Sequence, residues 1–300
     1  MDTFVKSAAK QVRLTIAMPV FNGGAHLAMA VESIVRQTFT DWELLIIDDG
    51  STDGALDALA DLHDDRVRIS RDGANRGLAI RLNEAIAMAK GHFFARMDSD
   101  DVSFPDRLAR QVAALESDPS LDLIATRAVT IDDANQIVGL FPFSLTHTEI
   151  CARPWRGFHL PHPTWMGKVD WFQRHGYNVP AAYLSEDQEL LLRTYRESKF
   201  ATVDAILFAY RVRSRADWVK VAKTRKAMLA VQRREFATAG QWHYLALAAL
   251  AYLIKSGRDV VRQLFRMPFY PSQAISSAAI AREWNNVVSG LTPSRMGNIK

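Results

Sequence analysis

Residues 42–53 read WELLIIDDGSTD, an apolar run that ends abruptly in two carboxylates, a glycine and a serine. A short apolar run bounded by turn residues predicts a buried strand followed by a loop. The same pattern occurs on both sides of this stretch. The strand predicted over Val12–Met18 precedes the polar segment 21–24, and the strand predicted over 92–97 precedes Asp98-Ser99-Asp100-Asp101. The chain therefore repeats one unit, a buried strand with a polar end.

Helical periodicity separates these predicted strands. Four apolar stripes occur, at Leu27, Val31, Ile34 and Val35, at Leu56, Leu59 and Leu62, at Leu78, Leu82 and Ile86, and at Leu108, Val112 and Leu115. Ser103 and Pro105 mark the start of the fourth predicted helix. Further short strands are predicted over 66–70 and 121–126. The alternation implies an α/β fold with a mostly parallel sheet and helices on both faces. Because ligands bind outside the carboxyl ends of such strands, we expect the polar segments to form one site.

Composition places the chain among ordinary folded proteins. Its 300 residues are 48% apolar and 23% charged. The single cysteine, Cys151, excludes an internal disulfide framework and suits a reducing compartment. The N-terminus has no long apolar stretch ahead of the first predicted strand, so it does not resemble a secretory signal. These features favour a cytoplasmic protein.

The charge is unevenly distributed. Residues 201–300 have a net charge of +11 in a chain whose total is +4, so residues 1–200 carry −7. A helix is predicted over Lys220–Thr238, followed by an apolar run of eleven residues, Tyr244–Ile254, and by Arg258, Arg262 and Arg266 at helical spacing. The run is shorter than the roughly 20 residues of a membrane-spanning helix. Two interpretations stay open: a basic amphipathic segment lying on an anionic membrane at the inner face of the cell, or a helix packed on the rest of the protein.

The segment Asp98-Ser99-Asp100 offers alternate carboxylates at a strand end. Hard cations such as Mg²⁺ and Mn²⁺ prefer oxygen ligands and bridge naturally to a diphosphate. The spacing alone is weak, and a polar turn or a helix cap ahead of Pro105 is the alternative interpretation.

The order of the motifs is more specific than any one of them. The chain reads IAMPVFNG at 16–23, ESIVRQTFTDWEL at 32–44, IIDDGSTD at 46–53, NRGL at 75–78, ARMDSDD at 95–101, PDRL at 105–108, HPT at 162–164 and SEDQELLLR at 185–193. This series, over about residues 12–213, resembles the family 2 glycosyltransferases.

The resemblance implies an α/β fold of the GT-A type, with a mixed sheet that binds a nucleotide sugar, and a metal-dependent, inverting transfer of one sugar to an acceptor hydroxyl. It implies a nucleotide-sugar half over about 12–126 and an acceptor half over about 127–215, within a catalytic domain of residues 1–215. Residues 216–300 form a basic, mostly helical extension. UDP-sugars are favoured as donors, a glycan or lipid-linked molecule as acceptor, and cell-surface polysaccharide or lipopolysaccharide assembly as the pathway.

The resemblance also assigns roles to residues. It places Pro19, Phe21, Asn22, Asp49, Arg76 and Asp98 at the nucleotide sugar, and Asp98 and Asp100 at Mg²⁺ or Mn²⁺. Relatives often carry Tyr-Arg-x-His after the last strand, whereas this chain reads Tyr210-Arg211-Val212-Arg213. An arginine cannot ligate a metal, so Arg213 is expected to contact the diphosphate directly, and the third metal ligand is not assigned.

Asp187 resembles the catalytic base of the family. A metal would neutralise charge on the leaving diphosphate, and one carboxylate on the opposite face of the sugar would take the acceptor's proton, which gives inversion. The alternative for Asp187 is a helix cap. His162, Trp165 and Glu186 are candidates for contact with the acceptor or donor sugar, although a core position is an equal alternative for the tryptophan.

Three other functions fit the sequence less well. A nucleotidyltransferase that makes nucleotide sugars would more commonly show a Gly-rich loop with a lysine after the first strand, and residues 21–26 contain no lysine. A non-catalytic nucleotide-sugar-binding protein fits poorly with the presence of Asp49, Asp98, Asp100 and Asp187 together. Nucleic-acid binding by the basic extension lacks a motif or interleaved aromatic residues.

Overall fold

The structure, a computed structural model, describes residues 12–212, 217–265, 267 and 278–291. Its strands are β1 Leu14–Val20, β2 Trp42–Asp48, β3 Val67–Arg71, β4 Phe93–Arg96, β5 Val102–Ser103, β6 Leu123–Ile131, β7 Ile137–Leu140, β8 Met166–Lys168 and β9 Phe200–Arg211. Its helices are α1 Leu27–Val35, α2 Leu78–Met88, α3 Arg107–Ser117, α4 His147–Cys151, α5 Val169–His175, α6 Glu186–Thr194, α7 Trp218–Thr238, α8 Trp242–Leu264 and α9 Ala278–Leu291.

The strands form one mixed sheet in the order β3-β2-β1-β4-β8-β6-β9-β5, with β7 paired to β6. The first four strands are parallel, as the strand–helix alternation predicted. The second half is different, because β8 runs antiparallel to both β4 and β6, and β5 antiparallel to β9. The expectation of a mostly parallel sheet is therefore wrong for this half, whereas the mixed sheet that the resemblance implied is confirmed.

Two apolar layers cover the sheet, and β1 shows how they are divided. Leu14, Ile16 and Met18 point into the layer that contains α1 and α3, whereas Ala17 points into the layer that contains α2, α5 and α6. This alternation follows from the two-residue period of a strand. The helix predicted from Leu56, Leu59 and Leu62 is only a short 3₁₀ turn, Ala55–Leu59.

The C-terminal helices pack on the α/β part of the chain. The α7 and α8 helices pack against each other, and the buried Ala248 of α8 belongs to the second apolar layer. In α9, Trp284 stacks on Phe104 with ring centroids 5.8 Å apart, and its indole N–H donates to the Asn135 carbonyl at 2.8 Å. Among the described residues, we find no helix long and apolar enough to cross a bilayer.

Candidate active site

The loops after β1 and β2 are tied to each other. Asn22 adopts a left-handed conformation with φ +52°. Its backbone N–H donates to Ser51 Oγ at 3.0 Å, and its Oδ1 accepts the Thr52 N–H at 2.9 Å. Pro19 is buried in β1, while the neighbouring Phe21 keeps 53% of its surface exposed. The two loops thus form one rigid edge that leaves an aromatic ring open to a ligand.

Asp49 lies at the same edge and is buried. Its Oδ1 accepts the Arg76 N–H at 2.7 Å and Arg81 Nε at 2.9 Å, and its Oδ2 accepts the Gly77 N–H at 3.0 Å. A carboxylate oxygen has two lone pairs, so Oδ2 can accept one more hydrogen bond. The Asp49 carboxylate is therefore fixed in position and keeps acceptor capacity, which is what recognition of a base N–H needs.

Arg81 holds this arrangement together and was not predicted. The side chain is buried, and it also pairs with Asp72 at 2.6 Å and with Glu84 at 2.8 Å. The guanidinium of Arg76 is exposed and contacts the same two carboxylates, Asp72 at 3.0 Å and Glu84 at 3.3 Å. Arg81 supports the loop from beneath, whereas Arg76 lies on its solvent side.

The segment after β4 brings three carboxylates together. Asp98, Asp100 and Asp101 each offer an oxygen, and these oxygens lie within 4.8 Å of one another. Arg96 holds Asp98 from the last position of β4, with Nη1 2.6 Å from Oδ2. Burial raises the pKa of Asp100 to about 6, and the nearby Asp98 charge adds to the shift. A divalent cation among these oxygens would reverse that effect, because opposite charge favours the ionised carboxylate.

Asp101 is the buried member of this cluster. Its Oδ1 accepts the Arg211 N–H at 2.7 Å, while its Oδ2 is buried and has no hydrogen-bond partner among the described residues. Burial raises the pKa of this carboxyl well above its ordinary value, with the charges of Asp98 and Asp100 as further causes. Crowded carboxylates with an unpartnered oxygen fit a hard divalent cation.

A second pair of carboxylates lies at the start of α6. Asp187 Oδ2 accepts Gln188 Nε2 at 3.2 Å, and Gln188 is itself fixed by Phe158, whose backbone N–H donates to Oε1 at 2.8 Å. Burial raises the pKa of Asp187. Burial, followed by the charge of Asp187, raises the pKa of Glu186 to about 7. The N-cap position belongs to Ser185, so Asp187 is inside the helix rather than at its cap.

Arg96 connects the two groups of carboxylates, and it too was not predicted. Its guanidinium is 3% exposed. Against the larger effect of burial, its positive charge lowers the pKa of Asp100, of Glu186 and of Asp187. The charge of Arg96 therefore acts on both the acidic segment after β4 and the acidic start of α6, which places the two groups of carboxylates near one buried cation.

His162 and Trp165 lie beside the second group, but only the histidine is near a polar candidate. His162 Nδ1 is 4.0 Å from Glu186 Oε1, and its Nε2 is 2.7 Å from the Tyr177 hydroxyl. Trp165 is fully buried, and its indole N–H donates to the Leu160 carbonyl at 3.2 Å. The proposed contact between Trp165 and a sugar is not supported, because no face of the indole is accessible; the alternative of a core position describes it.

Arg213 lies outside the described residues. Arg211, two residues earlier, contacts the acidic segment instead. Its Nε donates to the Asp100 carbonyl at 2.7 Å, and its Nη2 donates to Asn135 Oδ1 at 2.7 Å. The Tyr-Arg pair of the motif was the signal that could have identified it.

Comparison with known proteins identifies the family of the chain. The family model described as "Glycosyl transferase family 2" matches residues 15–176. The chain is 32% identical over 213 residues to the putative glycosyltransferase EpsE of Bacillus subtilis, covering 69% of this chain and 75% of that one. It is 28% identical over 139 residues to the Escherichia coli UDP-Glc:alpha-D-GlcNAc-diphosphoundecaprenol beta-1,3-glucosyltransferase WfgD, covering 46% of this chain and 54% of that one.

Two solved structures share the fold. Staphylococcus aureus TarS 1–349 in complex with UDP-GlcNAc superposes with a TM-score of 0.64 at 17% identity, over 93% of this chain and 80% of that one. The mannosyltransferase PcManGT of Pyrobaculum calidifontis, in complex with GDP-Man and Mn²⁺, has a TM-score of 0.57 at 17% identity, over 94% of this chain and 85% of that one. The family model, which matches more than half of the chain, and the similarity to EpsE establish that the chain belongs to glycosyl transferase family 2 and is a glycosyltransferase.

Proposed function

We propose that the protein transfers one sugar from a nucleotide diphosphate donor to an acceptor hydroxyl with inversion of the anomeric centre. The observation that carries the proposal is the pair of carboxylate groups, at Asp98–Asp101 and at Glu186-Asp187, facing the buried Arg96. One group suits a cation at the leaving diphosphate, and the other suits proton removal from an acceptor.

The donor side comprises the edge formed by β1, β2 and β4. Phe21 stacks on the base, and the free lone pair of Asp49 Oδ2 accepts a base N–H, with Pro19 and Asn22 shaping the pocket. Arg76 is placed near the base or a phosphate, and Asp98 near the ribose. A UDP-sugar is the favoured donor, since TarS has been solved with UDP-GlcNAc and WfgD is named for UDP-Glc.

Asp100 is the principal metal ligand in this proposal, with Asp98 beside it, and the ion is Mg²⁺ or Mn²⁺. When bound, the ion supplies positive charge that neutralises the diphosphate as it leaves. PcManGT was solved with Mn²⁺. The role of Arg213 at the diphosphate stays a prediction.

Asp187 is the proposed general base. Its carboxylate takes the proton of the acceptor hydroxyl, the acceptor oxygen bonds to the anomeric carbon, and the bond from that carbon to the diphosphate oxygen breaks with its electron pair. A raised pKa brings a carboxylate closer to the proton affinity that a base needs near neutral pH. The Gln188–Phe158 hydrogen bonds hold Asp187 in one place. Glu186 and His162 are proposed to contact the acceptor.

The acceptor is proposed to be a glycan or a lipid-linked sugar used in cell-surface polysaccharide assembly at the inner face of the membrane. Val179, Tyr183 and Leu184 are exposed directly ahead of α6, where they offer an apolar surface next to the proposed base. WfgD is named for an acceptor linked to diphosphoundecaprenol. We also propose a functional boundary near residue 215, between the catalytic domain and the basic helical extension.

Thermal stabilisation by UDP, GDP, dTDP and their sugars, each with and without Mn²⁺, tests the proposal. We expect a metal-dependent shift with a uridine nucleotide, since a ligand at a hundredfold excess over Kd stabilises the folded state by about 2.7 kcal/mol. Asp100→Asn should lose the metal-dependent part, whereas Asp204→Asn, an exposed carboxylate that pairs with Arg127, should respond as wild type does. A folded protein that responds to no nucleotide would contradict the proposal.

A further inference from the structure

The outer side of α8 is a continuous apolar surface. Six of its residues, Trp242, Leu250, Leu253, Ile254, Val261 and Leu264, are 48 to 73% exposed. We call these six the α8 outer face. Their spacing places them on one side of the helix, opposite the buried Ala248 and Asp259. At 1.5 Å per residue, the 23 residues of α8 extend this surface over about 35 Å.

Such a surface is unusual for a helix that faces only water. A packed surface helix normally presents polar residues on its outer side, and large contiguous apolar patches mark interaction sites. The acidic residue of α8, Asp259, is buried and pairs with Arg225, so it does not lie on the outer face. The outer face therefore requires a partner that covers apolar groups, and α8 contributes no carboxylate that would repel an anionic partner.

Charge around the outer face selects the kind of partner. Arg258 is exposed on α8 beside the face, and Lys220, Lys223 and Lys226 lie on the adjoining α7. Residues 217–265 contain nine Lys and Arg but only three Asp and Glu. A symmetric contact with a second copy would bring two such positive segments together, since the same patch is used twice. An anionic lipid surface has the complementary charge.

We infer that α8 docks the protein on an anionic bilayer, with its outer face lying among the headgroups and upper acyl chains. The helix lies parallel to the membrane plane and does not span it. This is the arrangement expected of an amphipathic helix whose apolar side is flanked by cations.

Contacts of α8 link this docking surface to the proposed base. Lys255 Nζ donates to the Arg156 carbonyl at 2.8 Å, and Trp155 stacks on Tyr244 with centroids 5.1 Å apart. Phe158, two residues after Arg156 in the chain, donates its N–H to Gln188, the residue that contacts Asp187. Docking through α8 thus holds the acceptor side of the site at the lipid surface, a consequence that rests on the proposed function.

Co-sedimentation of the full chain with vesicles tests the inference. One vesicle set contains phosphatidylcholine alone, and the other contains equal parts of phosphatidylcholine and phosphatidylglycerol. We expect the wild type to bind the anionic vesicles. The triple variant Leu250→Gln, Leu253→Gln, Leu264→Gln should have a partition coefficient lower by about tenfold or more. Arg258→Gln should show a weaker preference for anionic over neutral vesicles. Val219→Gln, which replaces an exposed valine of α7, is the matched control and should bind as wild type does.

Three outcomes would overturn the docking inference: no binding of the wild type to anionic vesicles, equal binding by the triple variant, or a dimer in sedimentation velocity that the triple variant abolishes while vesicle binding is absent. The nucleotide-induced thermal shift separates this result from the proposed function. A triple variant that no longer binds vesicles but keeps the nucleotide-induced thermal shift supports the docking inference independently of the proposed function. A wild type that binds vesicles without any nucleotide response would refute only the transferase chemistry.

Discussion

Replacing Asp187 by asparagine tests the proposed base most directly. The substitution keeps the shape of the side chain and an oxygen able to accept the hydrogen bond from Gln188 Nε2. It removes the charge that would accept the proton. Because burial raises the pKa of Asp187, its ionised form is disfavoured in the folded protein, so losing the charge should leave stability unchanged or increase it above neutral pH. A first-turn charge that stabilises α6 through the helix dipole would give the opposite result, a loss of about 0.3–1 kcal/mol.

The size of the catalytic effect follows from the role. A positioned base accelerates proton transfer by about 10²–10⁴-fold, which corresponds to roughly 2.7–5.4 kcal/mol of transition-state stabilisation. We expect kcat to fall by that factor in Asp187→Asn, while nucleotide-sugar affinity measured by calorimetry stays within about threefold, since the residue contacts the acceptor side. Nucleoside diphosphate release under saturating donor measures the rate.

Asp170→Asn, an exposed carboxylate at the start of α5, is the matched control and should leave kcat unchanged. The base assignment fails if Asp187→Asn retains more than about a tenth of wild-type kcat, because such a loss is below the range for general base catalysis. A large loss of unfolding free energy together with activity would instead assign Asp187 to stabilisation of the first turn of α6.

Three further results are expected. Arg81→Leu should lower the free energy of unfolding in urea by about 3 kcal/mol, because it leaves the buried Asp49 without a paired cation. Arg76→Leu should lower it by less than about 1 kcal/mol, because that guanidinium is exposed. Equal losses of unfolding free energy in the two variants would contradict this distinction. Glu186→Gln should be more stable than wild type at pH 8 but not at pH 4, because a pKa raised from 4.5 to about 7 makes the wild type lose stability as pH rises between those values; a pH-independent difference in melting temperature would contradict this. Trp284→Ala should cost about 3 kcal/mol in urea unfolding and expose α9 to proteolysis, and a loss under about 1 kcal/mol would mean that α9 contributes little to the fold.

The parallel half of the sheet could be predicted from the sequence because each of its strands is a local signal. Residues 44–47 of β2 are a continuous apolar run closed by turn residues, and the apolar residues of α2 recur with the period of a helix. The second half, in which β6 and β9 are parallel and the other pairings are antiparallel, depends on pairings between distant segments. The three residues of β8 insert between β4 and β6, and such a short strand has no pattern of its own.

The site shows the same division. Asp49, Asp98 and Asp100 could be predicted because polar residues follow apolar runs there, whereas Asp187 was predicted from the resemblance, ahead of the apolar run 190–192. Arg81 and Arg96 could not be predicted because each acts as a buried cation. Some of the carboxylates that they affect lie far along the chain, such as Asp49 for Arg81 and Glu186 for Arg96. An arginine in an amphipathic helix such as α2 is ordinarily a solvated residue, and only tertiary packing shows that Arg81 is enclosed.

The apolar run Tyr244–Ile254 explains why the sequence left two interpretations of the C-terminal extension open. Hydropathy along the run is uniform, so it contains no sign of which residues turn inward. The structure places Ala248 in the core and leaves Leu250, Leu253 and Ile254 exposed. The packed helix is therefore confirmed for the inner side of α8, while the inferred lipid contact concerns the outer side of the same helix. The segment Tyr244–Ile254 is apolar on all sides of the helix and therefore needs two partners, and within the described residues the α/β part of the chain covers only its inner side.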